Sequence, residues 1–183
     1  MMKIHFSLLW IMLALPQFST AQLKTFEAIK NESSVVYQLS HPLHTIEAMS
    51  KDAVYHVEMD PAGKQIKRVS ASVDVMTFDS GNSNRDSHAM EVIDAISFPN
   101  VTFSSTNVIQ HSDSLIVAGK LTFHGVTKDI AAQAIAQWSS DSLQIHGGFG
   151  LSLASFNIDR PSFLMIPTDD TLRFSFAASF GWK

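Results

Sequence analysis

Alternation of apolar and polar residues with a period of two runs through much of this chain and, more than any other feature, restricts the folds open to it. Over residues 143–153 the odd positions are Leu143, Ile145, Gly147, Phe149, Leu151 and Leu153, set against Gln144, His146, Gly148, Gly150 and Ser152. Near the C-terminus, Leu172, Phe174, Phe176, Ala178 and Phe180 oppose Arg173, Ser175, Ala177 and Ser179. Residues 114–123 place Leu115, Val117, Gly119, Leu121 and Phe123 on one phase, with a mixed opposite phase. Successive side chains of a strand point to opposite sides, so each stretch predicts a strand with one wet and one dry face.

Weaker versions of the pattern predict strands at residues 26–29, 35–40, 45–49, 53–59, 66–76, 100–108 and 128–138. Asp60-Pro61-Ala62-Gly63 reads as a turn, with proline presetting the backbone and glycine closing it. One short helix, near residues 84–94, interrupts the series. Asn84-Arg85-Asp86-Ser87 reads as its cap and first turn, and Ala89, Met90, Val92 and Ile93 supply an apolar face. The fold expected is all-β: an antiparallel sheet of about eight strands that curls into a barrel, since closure removes the exposed edges that invite aggregation. A sandwich is the competing arrangement.

The first 21 residues read as a cleavable export signal. Lys3 is the positive start, residues 4–15 are apolar, and Ser19-Thr20-Ala21 is a small-residue cleavage site. The apolar stretch is interrupted by His5 and Ser7 and ends at Pro16, short of the roughly 20 residues a spanning helix needs. Residues 22–183 then form one domain in the periplasm or outside the cell. The chain has no cysteine, which excludes disulfides, thiolate chemistry and a lipid-modified cysteine at the cleavage site. With a net charge of −4 and no cationic run beyond Lys64, Lys67 and Arg68, nucleic acid and anionic membrane surfaces are poor partners.

The dry phase mixes bulky residues with small ones: Ala71, Gly119, Gly147 and Ala178, and Ala132, Ala134 and Ala136 on one phase of one strand. Two readings stand. The small residues permit bending and close approach of the walls, or together they leave a lumen unfilled. On the second reading the lining includes Val73, Val75, Phe103, Leu115, Val117, Leu121, Phe149, Leu151, Phe174 and Phe176. Burial contributes roughly 0.8 kcal/mol per CH₂, whereas association costs on the order of 4–15 kcal/mol. A lumen with few polar groups therefore selects chains of about ten to twenty carbons.

Arg85 and His88, at the helix start, are candidates for meeting a ligand head group at the barrel mouth, where free backbone N–H groups favour negative charge. The alternative is a local structural network. His41 and His44 would face opposite sides of a strand unless Pro42 bends it, and they read as surface or loop residues; no metal or cofactor is expected. Asp79, Ser80 and His88 make a nominal triad, yet there is no Gly-x-Ser-x-Gly elbow, and no enzymatic activity is expected.

Four stretches carry a family resemblance: SVDVMTFDSGNSNRDSH (72–88), FPNVTFSS (98–105), GKLTFHGVTK (119–128) and FNIDR (156–160). In this order and spacing the chain resembles the YceI-like family from about Phe26 to its C-terminus. The resemblance implies an extended lipocalin-like barrel that binds polyisoprenoid or fatty-acyl compounds, as a carrier or sequestering protein. Where the family often has a glycine after a late phenylalanine, this chain has Phe163-Leu164-Met165, so the rim departs from the pattern there. Two other functions remain open: an outer-membrane barrel, and an enzyme or stress protein acting on the same lipid. Against the first, Trp138, Trp182, Tyr37 and Tyr55 are too few to build two interfacial girdles, so no stable membrane insertion is expected.

Overall fold

Each alternating stretch is a strand in the computed structural model, which describes residues 22–182. The export signal expected at residues 1–21 lies outside the described residues. The strands are β1 (Lys24–Glu27), β2 (Ser34–His41), β3 (His44–Ser50), β4 (Val54–Asp60), β5 (Gln65–Asp74), β6 (Asn100–His111), β7 (Ser114–Phe123), β8 (Val126–Trp138), β9 (Ser142–Ser152), β10 (Ser162–Phe163), β11 (Ile166–Pro167) and β12 (Thr171–Gly181). Helix α1 spans Ser83–Val92. Ten strands form one antiparallel sheet in the order β1-β4-β5-β6-β7-β8-β9-β12-β2-β3, and β10-β11 is a separate small hairpin.

The sheet curls until its β1 end reaches back to β12. Ala28 N–H donates to the Tyr55 carbonyl on β4 (2.9 Å), and the next amide, Ile29, donates to Ser179 on β12 (2.7 Å), so two consecutive residues tie β4 to β12. At the opposite edge, Met49 of β3 exchanges backbone bonds of 3.0 and 2.9 Å with Asp79, and Ser50 Oγ lies 2.6 Å from Thr77 Oγ1. The Tyr55 hydroxyl donates across to the Ser34 carbonyl (3.0 Å). These bonds occupy edge groups that would otherwise template aggregation.

Burial follows the alternation. On β7 Leu115, Val117, Leu121 and Phe123 are buried, and on β8 Ala132, Ala134 and Ala136 alternate with exposed Gln133, Ile135 and Gln137. The interior divides into two apolar clusters. One holds Val57, Met59, Leu143 and Phe180; the other holds Leu121, Phe123, Leu151, Leu153, Phe156 and Leu172.

Local chemistry shifts several boundaries. The strand expected to run to residue 76 ends at Asp74, whose side chain accepts from Met76 N–H (2.8 Å) and starts a 3-10 turn, Val75–Thr77. The helix begins earlier than expected: Asn82, rather than a residue in the 84–87 stretch, is the cap, its Oδ1 accepting from Arg85 N–H (3.2 Å). In the turn after β4, Asp60 Oδ1 accepts from Ala62 N–H (3.1 Å), and Lys64 rather than Gly63 takes the left-handed conformation (φ 51°). The β7–β8 hairpin turns on His124-Gly125, both at positive φ (48° and 70°), as a two-residue turn matching the strand twist requires.

Candidate functional site

Several large side chains point into the barrel and yet are only half-buried: Val69, Val73, Val101, Phe103, Ile130, Phe149, Phe174 and Phe176. They face a cavity of about 110 Å³ lined by side chains of the inward phase. One water needs roughly 10–15 Å³ of such space and two to four polar partners. This cavity has the volume for water but not the partners, as expected of an apolar site that stays dry.

A second cavity, about 80 Å³, lies beneath α1. Its roof is the helix face Ala89, Met90, Val92 and Ile93, and its walls include Tyr37, Leu39, Val75, Phe78, Phe123 and Leu172. Val101 and Phe174 line both cavities. Helix α1 thus lies over the second of two spaces that share lining residues.

Of the residues read as lumen-lining, Val73, Phe103, Leu115, Val117, Leu121, Phe149, Phe174 and Phe176 line the first cavity. Val75 lines the second, because the 3-10 turn swings it out of β5. Leu151 lines neither; it is packed in the second apolar cluster. Not singled out from the sequence are Val35, Ala53, Tyr55, Val69, Ser72, Val101 and Ile145 in the first cavity and the helix face as lining of the second. The same inward phase carries most of them, and the helix face was visible without its destination.

The small inward residues separate into two kinds. Ala53, Ala71, Ala132 and Ala134 line the first cavity and do leave volume. The glycines do not. A Cβ on Gly119 would lie 2.6 Å from Phe103 Cζ, so that ring already fills its space, and a Cβ on Gly147 would strike the Gln133 carbonyl and lie 2.6 Å from Ala134 Cβ. Ala136 and Ala178 are packed in the core.

Polar groups are few: Ser72 and Tyr55 in the first cavity and Tyr37 in the second. Tyr55 is held protonated by burial, and its hydroxyl is spent on Ser34. Tyr37 lines the second cavity; burial first, and the Asp86 carboxylate second, push its phenol above the ordinary value, with Arg85 opposing. The phenol thus sits within the field of both charges at the start of α1.

Arg85 itself is turned onto the adjoining loop. Its Nε donates to Ser80 Oγ (2.8 Å) and its Nη2 to the Ser80 carbonyl (2.7 Å), while Asp86 accepts from Ser80 N–H at 3.2 and 3.3 Å. The structural network is therefore the arrangement found. His88 is exposed, 3.7 Å from Glu91, and lines neither cavity. The nominal triad is not assembled: Ser80 Oγ accepts from Arg85, Asp79 accepts from Gly81 N–H (2.7 Å), and His88 faces Glu91.

His41 and His44 depart from expectation. Pro42-Leu43 is the two-residue connection of β2 and β3, so the imidazoles are cross-strand partners on one face, 5.2 Å apart. His41 is buried rather than on the surface; its Nδ1 accepts from Leu43 N–H (3.2 Å), and its Nε2 lies 3.0 Å from the Ile166 carbonyl. Phe163 of the β10-β11 hairpin packs edge-on against both rings. Beyond it the rim is apolar and exposed, with Leu164 and Met165 both at positive φ.

Comparison with known proteins follows this geometry. A family model described as the YceI-like domain matches residues 26–180. A UPF0312 protein of Vibrio vulnificus is 32% identical over 162 residues, covering 81% of this chain and 84% of that protein. Among solved structures, BcnA of Burkholderia cenocepacia superposes with a TM-score of 0.75 at 19% identity, over 83% of this chain and 98% of that one. A structure titled a polyisoprenoid binding domain from Saccharophagus degradans gives 0.64 at 12% identity, over 88% and 100%.

Proposed function

Because the chain belongs to the YceI-like family, we propose that it is an exported, soluble binding protein that holds a long apolar molecule of the polyisoprenoid or fatty-acyl class in its barrel and carries out no reaction on it. The observation that carries this reading is the ring of large, inward, half-buried apolar side chains around a dry cavity. Interiors normally pack to crystal-like density; side chains left with open apolar space are short of partners that a hydrocarbon chain supplies. The polyisoprenoid-binding title of the Saccharophagus domain supports the same ligand class.

The arrangement is suited to binding by burial alone. Each methylene entering the lumen contributes roughly 0.8 kcal/mol, and among the described residues only the Ser72 and Tyr55 side chains bring polar atoms to the first cavity. The head group belongs at the α1 end, where the Tyr37 phenol lies near Arg85 and Asp86. With its guanidinium committed to Ser80, Arg85 contributes field rather than a free fork of donors.

The outward phase supports a water-facing exterior over a lipid-facing one. Lys120 pairs with Asp129 (3.0 Å) and Arg68 with Glu58 (3.0 Å) across neighbouring strands, where a membrane barrel needs an apolar band. Mass spectrometry of a solvent extract of the protein taken from its native compartment tests the ligand, and osmotic shock tests the location. Recovery of a co-purifying prenyl or acyl lipid from the osmotic-shock fraction is expected. An empty lumen that also fails to take up a fluorescent acyl probe overturns the binding reading, and a need for detergent overturns the soluble one.

A further inference from the structure

An aromatic row that runs across three neighbouring strands borders both cavities. Phe174 on β12 is the direct cross-strand partner of Phe149 on β9 and of Tyr37 on β2. The Phe149 and Phe174 rings are stacked, 5.0 Å apart at 17°. Phe149 faces the first cavity, Tyr37 the second, and Phe174 both; across the lumen, Val101 of β6 also lines both. The row and Val101 thus stand at the one level where the two spaces adjoin.

The surroundings of this row are asymmetric. Toward the second cavity the next inward residues are Leu172 and Leu151, 6% and 7% exposed and packed in the core. Toward the first, Phe174 is followed on its own strand by half-buried Phe176, while beside Phe149 the Gly147 position is closed by the Gln133 carbonyl and Ala134. Phe174, half-buried and bordering both spaces, is the ring of the stack with open apolar space toward either cavity.

We propose that the Phe149–Phe174 stack, facing Val101, is a length gate: closed, it confines a ligand to one compartment, and when the rings lean aside it joins both into a single channel, so that it sets the longest apolar chain the barrel accepts. This rests on the lipid-binding reading above and assigns these residues a role in selecting among ligands of that class. A short chain fills one compartment without disturbing the stack. A longer one gains burial only by displacing it, losing the ring–ring contact as it does so.

The test is a competition series in which linear primary alcohols of increasing length displace a fluorescent acyl probe from the full-length mature protein. In the wild type, affinity should rise about fourfold per added methylene until one compartment is filled, and then show a step or plateau before any further rise. Phe174→Leu and Phe149→Leu, which keep an apolar side chain, should remove the step so that the rise continues to longer chains. Val101→Phe, which narrows the facing wall, should place the cut-off at a shorter chain or make it more abrupt. Thermal melts identify any variant that fails to fold, and the remaining variants then decide. Identical length profiles in the wild type and every folded variant overturn the gate while leaving lipid binding intact. Wild-type protein with no length-dependent binding overturns both.

Discussion

At Gly147 the walls of β8 and β9 approach so closely that an added methyl group would meet the backbone carbonyl of Gln133. Backbone cannot move aside as a flexible side chain can, so Gly147→Ala should destabilise the protein by about 1–3 kcal/mol, the usual range for overpacking. The shift of the urea midpoint at unchanged m-value measures it. Asp170 offers a contrasting case on the surface. A hydrogen bond from Ser152 first, and the Ala154 N–H at 2.9 Å second, hold its carboxyl below the ordinary aspartate value. A carboxylate whose folded value is depressed adds stability that is present above its unfolded value and is lost as pH falls through the folded one. Asp170→Asn should therefore flatten the acid limb of the stability–pH curve in that window and leave the slope near neutrality unchanged. The first role was legible only in outline, since a single inward glycine reads as a structural position before it reads as a void but does not name its neighbour; an aspartate's partner from a distant strand is set by the fold.

Helix α1 shows what one element contributes. Ten residues with no fully buried side chain would not hold a helix in isolation; this one is kept by its Asn82 cap and by its apolar face over the second cavity. Removing the cap by Asn82→Ala should cost about 1 kcal/mol, and because the helix is locally held, amide exchange should accelerate across Ser83–Val92 more than in the strands. Uniform acceleration throughout the barrel would contradict that local coupling. The strands were readable because period two follows from pleat geometry and depends on no distant partner. The helix was placed correctly to within about two residues, and its apolar face was recognised, but its task of roofing a cavity required knowing where β5 ends. Asp74 decides that by diverting the chain into the 3-10 turn that carries Val75 beneath the helix.

For the whole molecule, the governing fact is a curled sheet around an incompletely filled interior. A ligand that binds the folded barrel and not the unfolded chain stabilises it by mass action, so a long-chain alcohol at about a hundredfold its Kd should add about 2.7 kcal/mol, read as a rise in melting temperature that grows with concentration. Since the lumen presents almost no charge, the affinity for an uncharged ligand should change little with salt at constant pH; a steep fall with ionic strength would place binding on the charged exterior instead.

The alternation of residues alone determined that the chain is all-β, that its strands are antiparallel neighbours, and which side chains face inward, because side-chain direction along a strand is a local property of the backbone. The YceI-like motifs supported the barrel that sheet closure already suggested and added the expectation of an apolar ligand. Only the tertiary structure decided how the interior is divided: that alanines leave space while glycines mark contact, that Val75 and Leu151 part from the other lining residues, that Arg85 is committed to Ser80, and that His41 is buried beside His44. Each of these depends on which distant strand stands opposite, and that is settled by the register and closure of the whole sheet, which no single stretch of sequence contains.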